Sequence, residues 1–87
     1  MAYHAEISLD DDNLLELKGG ALMTHLKILH NGESVGKLVY LLKKGKFEKE
    51  IAGKEVRIDY RRDGGSGNIN LVAKVDGEVV KESFITQ

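Results

Sequence analysis

Three histidines, His4, His25 and His30, are the only imidazoles in the chain, and with the many carboxylates they are the first side chains that could hold a divalent cation. His25 and His30 lie an odd number of positions apart, so on one strand they point to opposite faces and cannot share an ion unless a bulge intervenes. Asp10-Asp11-Asp12 resembles the start of a calcium loop, but the position that demands glycine is Leu15 and the later ligands are absent. A solvated turn is the expected role of that stretch, and no metal or other cofactor is expected.

Gly64-Gly65-Ser66-Gly67 has the backbone freedom to bring N–H groups close to a phosphate. Phosphate loops of that kind lead into a helix and carry a following Lys with Ser or Thr, whereas here Asn68 and a strand-like segment follow. A mobile hairpin loop is the expectation. The hydroxyls Ser8, Ser34, Ser66, Ser83, Thr24 and Thr86 stand in no nucleophile elbow and beside no recognisable base, so enzymatic activity is not expected.

The densest group able to contact an anion is basic: Lys43, Lys44, Lys46 and Lys49, with Arg57, Arg61 and Arg62. If strands over 46–51 and 54–62 pair, several of these charges share one face or one end. Glu48, Glu50, Glu55 and Asp59 are interleaved with them, and stacking could draw only on Tyr3, Tyr40, Phe47, Tyr60 and Phe84, at least two of which belong to a core. Lys37 on one side and Lys43-Lys44 on the other flank the apolar run Leu38–Leu42 as charges that discourage edge aggregation.

The elements that must position these residues are strands. Asn31-Gly32, Lys44-Gly45, Ala52-Gly53, the Gly64–Gly67 run and Asp76-Gly77 recur at strand-length spacing. Between them apolar residues alternate: Leu22, Thr24, Leu26 and Ile28; Val35 and Val39; Val56, Ile58 and Tyr60; Ile69, Leu71, Ala73 and Val75. Asn31-Gly32 and Asp76-Gly77 are favoured type I′ pairs, because both central residues need positive φ. A two-residue loop at Asn31-Gly32 sets Ile28 against Val35 and Thr24 against Val39. The same test at Ala52-Gly53 sets Phe47 against Ile58 and Glu48 against Arg57 but opposes Glu50 to Glu55, so the hairpin is expected and its register stays open. At Asp76-Gly77 it sets Ile69 beside Phe84 and Ala73 beside Val80, but leaves Leu71 facing Glu82, so a longer loop or a bulge stays open there. Residues 10–20 could form a short helix capped by Asn13 and Glu16 with Gly19 at its end, but the alternation of Leu15 and Leu17 with Glu16 and Lys18 favours a strand.

Length and composition bound the class. Eighty-seven residues support one core, and 41% hydrophobic with 31% charged residues is the usage of a folded globule. The expected fold is therefore all-β, a single antiparallel β-sandwich domain over residues 1–87 with about seven or eight short strands in a hairpin meander. A net charge of −1 supplies no global field for steering toward nucleic acid or membrane. The absence of cysteine, of a basic-then-apolar leader and of any long apolar run makes a reducing, cytoplasmic setting the expectation.

From Glu6 to Phe84 the order of features resembles one half of a Fas apoptotic inhibitory molecule. The likeness lies in Leu26-Lys27-Ile28-Leu29-His30-Asn31-Gly32-Glu33, Lys44-Gly45-Lys46-Phe47, Ala52-Gly53-Lys54-Glu55-Val56-Arg57-Ile58 and Leu71–Val80. That resemblance implies a non-catalytic β-sandwich acting through protein contacts, although the chain lacks the tryptophans of that family. The functional expectation is a protein-interaction or assembly module, binding a protein partner or a second copy through a sheet edge. The alternative is nucleic-acid or anionic-ligand binding through the basic group at 43–62.

Overall fold

A computed structural model of the chain describes residues 3–19, 25–40 and 42–85. Every regular element in it is a strand: β1 (Tyr3–Asp10), β2 (Asn13–Gly19), β3 (His25–His30), β4 (Glu33–Val39), β5 (Lys44–Ile51), β6 (Lys54–Arg62), β7 (Ile69–Val75) and β8 (Glu78–Ile85). They form two four-stranded antiparallel sheets in simple meander order, β1-β2-β3-β4 and β5-β6-β7-β8. Among the described residues the fold is all-β with eight strands, and residues 13–19 are the strand that their alternation favours. No helix among the described residues is long and apolar enough to cross a membrane.

The first unit, Met1–Val39, holds β1 to β4. Its strands alternate as pleated strands with one covered face must: Ala5, Ile7 and Leu9 on β1, Leu15 and Leu17 on β2, Leu26 and Ile28 on β3, and Leu38 on β4 are buried. Register lines these up across the sheet, with Ile7 opposite Leu15, Leu17 opposite Ile28 and Leu26 opposite Leu38. Each fully buried Leu or Ile contributes roughly 1.5–3 kcal/mol.

The Asn31-Gly32 turn forms as expected, with φ of 48° and 87°. Its register differs from the expected one. Beyond the His30–Glu33 and Leu29–Ser34 pairs, Ile28 lies opposite Gly36 rather than Val35, because Val35 is an extra, bulged residue on β4. The slip sets Leu26 against Leu38, two buried side chains, and His25 against Val39. Leu22 and Thr24 of the alternation, and Leu41 of the apolar run Leu38–Leu42, lie outside the described residues.

The second unit, Tyr40–Gln87, holds β5 to β8. Among its described residues Tyr40, Ile51, Val56, Ile58, Tyr60, Ile69, Leu71, Ala73 and Ile85 are buried. The β5–β6 hairpin turns on Ala52-Gly53, both at positive φ (53° and 77°), and takes the two-residue-loop register left open above, Phe47 with Ile58, Glu48 with Arg57 and Glu50 with Glu55. At the β7–β8 hairpin the two-residue turn holds and Val80 is bulged. Ile69 therefore meets Ile85, Leu71 meets Ser83 and Ala73 meets Lys81, which relieves the Leu71–Glu82 clash of polarity. It also moves Phe84 off the covered face and sets it beside Asn70, 62% exposed.

Candidate functional site

The seven basic residues gathered from the sequence separate in space. Strand parity puts Lys44, Lys46, Arg57 and Arg61 on the open face of the β5–β6 ladder, where Lys44 lies opposite Arg61. Lys49 pairs with Val56 and so belongs to the opposite face. Lys43 and Arg62 sit at the end of the ladder, joined by the Arg62 N–H donating to the Lys43 carbonyl at 2.6 Å. Arg62 also sends Nη1 to the Tyr40 carbonyl at 3.1 Å.

Two of the open-face cations are neutralised along their own strands. Lys46 Nζ lies 2.8 Å from Glu48 Oε1, and Arg57 Nε–H is shared by both oxygens of Asp59 at 3.0 Å. The Lys46 ammonium, by hydrogen bond and then by charge, holds the Glu48 carboxyl below its ordinary range, with Arg57 across the ladder adding to the effect. Lys43, Lys44 and Arg61 form no ion pair with a described residue. Together with Arg62, Asp63, Gly64 and Asn70 they line a shallow surface depression of about 470 Å³.

The glycine-rich loop that follows is built around Asp63. Its carboxylate accepts Ser66 Oγ–H at 2.6 Å and the Gly65 N–H at 3.3 Å, while its N–H donates to the Asn68 carbonyl and its carbonyl accepts the Gly67 N–H, both at 2.8 Å. The Ser66 hydroxyl, then the Gly65 amide, keeps the Asp63 carboxyl below its ordinary range. A backbone donor that could have met a phosphate is thus turned onto the chain's own carboxylate.

The other chemically suggestive residues are dispersed. His4 Nε2 lies 3.1 Å from Glu16 Oε2, and His30 Nε2 lies 2.7 Å from Asn13 Oδ1. Asp10 Oδ1 accepts the Asp12 N–H and Asn13 Nδ2, both at 2.9 Å, so its carboxylate closes the β1–β2 turn. Among the described residues no cluster of three or more His, Asp or Glu side chains could hold a metal ion.

Sequence reasoning missed the sheet edges, which are set by pairing partners far along the chain. The edge strands are β1 and β4 in one sheet and β5 and β8 in the other. β1, β4 and β8 each carry a bulge, at Leu9, Val35 and Val80. β5 alone pairs without interruption over all eight of its residues, and Lys44, Lys46, Glu48, Lys49 and Glu50 on it are exposed. Comparison of the chain with protein-family models, curated proteins and solved structures finds no match.

Proposed function

We propose that the chain is a non-catalytic protein-interaction module that accepts an extended segment onto the open edge of β5. The observation that carries this reading is the contrast among the four edges, three of them broken by a bulge and β5 regular from Lys44 to Ile51. A bulge disrupts the ladder and twists an edge away from incoming strands. A regular edge presents its unpaired backbone groups in register for another chain.

Which groups are presented follows from the turn. In a ladder closed by a two-residue turn the flanking pair, here Ile51 and Lys54, is hydrogen-bonded, and bonded pairs then alternate along the strands. Ile51, Lys49, Phe47 and Gly45 therefore point their backbone groups at β6, and the Arg62–Lys43 bond continues the same series. Glu50, Glu48, Lys46 and Lys44 point theirs outward. The resemblance to Fas apoptotic inhibitory molecules agrees with action through protein contacts, and the cysteine-free composition favours a cytoplasmic setting.

The test is a selection of extended ten-residue peptides, about the length of β5, against the isotopically labelled chain. Binders should shift the amide resonances of Lys44, Lys46, Glu48 and Glu50 and lose affinity for E48P, which deletes one outward N–H without touching the β6 ladder. Binders that leave those resonances unmoved, or turnover in an activity screen, would refute the reading.

A second reading rests on the depression ringed by Lys43, Lys44, Arg61 and Arg62, which suits a phosphate-bearing ligand. A gel shift at low salt checks it, and absence of retardation with DNA and with RNA removes it.

A further inference from the structure

The edge-pairing reading leaves the partner open, and β5 carries the information to name one. Its outward-facing positions run Lys44, Lys46, Glu48, Glu50, two cations followed by two anions. A strand with that order is complementary to itself when reversed. Resting on the edge-pairing reading, we propose that β5 pairs antiparallel with β5 of a second copy about a two-fold axis through Phe47, joining two four-stranded sheets into one of eight strands.

Backbone geometry limits the alternatives. Residues placed directly opposite in an antiparallel ladder share both face and hydrogen-bonding state, so the axis must pass through a residue and cannot fall between two. Placed on Phe47, it sets Lys44 against Glu50 and Lys46 against Glu48, each twice by symmetry, and Gly45 against Lys49, with no like charges opposed. Moved to Lys46, it opposes Lys46 to itself and Lys43 to Lys49. Moved to Glu48, it opposes Glu48 to itself. On Gly45 it opposes Lys44 to Lys46, and on Lys49 it opposes Glu48 to Glu50. Like charges directly opposite destabilise a strand pair and opposite charges stabilise it, so one register is selected.

Hydrogen bonding agrees with that choice. Phe47 already directs its backbone toward Ile58, so across the new junction it forms the close, non-bonded kind of pair, while Lys46 and Glu48 exchange both of their outward bonds. Within one copy Lys46 Nζ already lies 2.8 Å from Glu48 Oε1. Two copies would merge these pairs into a four-charge cluster at the junction.

An edge-only interface is small, so the association is read over a wide range of concentration, from about 10 μM to about 1 mM of the intact chain, by sedimentation equilibrium. A reversible dimer is expected. K46E and E48K, both at exposed positions, should each weaken it by roughly tenfold or more, since each converts two attractive contacts into two repulsive ones. The double variant K46E/E48K restores the opposite-charge order and should recover the dimer to within roughly threefold. The chain has no cysteine, so F47C offers one thiol per copy at the axis, at a spacing a disulfide accepts, and should give a covalent dimer on mild oxidation. A chain monomeric throughout the range, a dimer indifferent to both single reversals, or a double variant no better than the singles overturns the proposal. If the wild-type chain is monomeric and a selected peptide still shifts the β5 amides, only the second copy is wrong and edge pairing stands. If neither occurs, both readings fall.

Discussion

Asn31 clasps Leu14 with two hydrogen bonds, its N–H donating to the Leu14 carbonyl and its Oδ1 accepting the Leu14 N–H, each at 2.9 Å. The turn between β3 and β4 is thereby tied to the start of β2. Asp76 repeats the device in the second unit, donating its N–H to the Glu55 carbonyl at 2.8 Å and accepting the Glu55 N–H on Oδ1 at 2.9 Å. Both residues sit at positive φ, 48° and 50°, where Asn and Asp are tolerated best among residues with a side chain. The first turn residue therefore sets the hairpin's twist and also satisfies backbone groups of the strand next door.

Replacing Asn31 by Ala removes the side-chain acceptor and leaves a positive φ for a residue that resists it, which should cost about 1–2 kcal/mol. Asn31→Asp keeps the acceptor, as Asp76 shows, and should lose the smaller part of that. Urea denaturation of the two variants checks the order, and equal losses would contradict it.

Ala52 occupies the first position of the β5–β6 turn at φ 53°, where hairpins usually place Asn, Asp or Gly. Ala52→Asn should raise stability by about 0.5–1 kcal/mol. An unchanged or lowered midpoint in thermal unfolding would show that the turn carries no strain.

Gly45 is required by a neighbour. A Cβ built on it would lie 2.6 Å from Cε1 of Tyr60, a buried ring whose hydroxyl accepts the Leu42 N–H and donates to the Leu42 carbonyl at 3.3 and 3.1 Å. The same ring meets Tyr40 edge-on, with centroids 5.1 Å apart. Gly45→Ala should therefore destabilise by about 1–3 kcal/mol. Melting at the wild-type temperature would contradict the packing.

The Asp63 carboxyl titrates below its ordinary range because the Ser66 hydroxyl and Gly65 amide favour the charged form. Its contribution is present above the unfolded value and is lost as pH falls below about 4 and through the folded value. Carboxyl titration followed by carbon NMR should show Ser66→Ala moving Asp63 upward, and no movement would separate the hydroxyl from the shift.

Much of the fold was legible because period-two alternation and two-residue turns act locally. Glu55, Arg57, Asp59 and Arg61 alternate with Val56, Ile58 and Tyr60, which marks β6, and Ala52-Gly53 marks its hairpin with β5, while the structure fixes the register that the Glu50–Glu55 opposition left open. The bulges were harder to read. Ile28 against Val35 is a good apolar pair, which hid the extra residue, whereas Leu71 against Glu82 is a poor one that left a longer loop or a bulge open, and the structure places the bulge at Val80. Phe84 changed face for the same reason, since one inserted residue reverses parity for everything beyond it. In the basic group, the residue types were legible and the parity that sends Lys49 to the other face was too. That β5 ends its sheet depends on partners elsewhere in the chain, and no property of residues 44–51 announces it.

Backbone exchange on β5 distinguishes an edge that pairs with another chain from one that does not. In hydrogen–deuterium exchange read residue by residue, the amides of Phe47, Lys49 and Ile51, bonded to β6, should be protected at every concentration. Those of Lys44, Lys46, Glu48 and Glu50 should exchange freely in dilute solution and slow progressively as the chain is concentrated. Outward amides that exchange at one fast rate at all concentrations, with or without added peptide, would rule out strand pairing at the β5 edge.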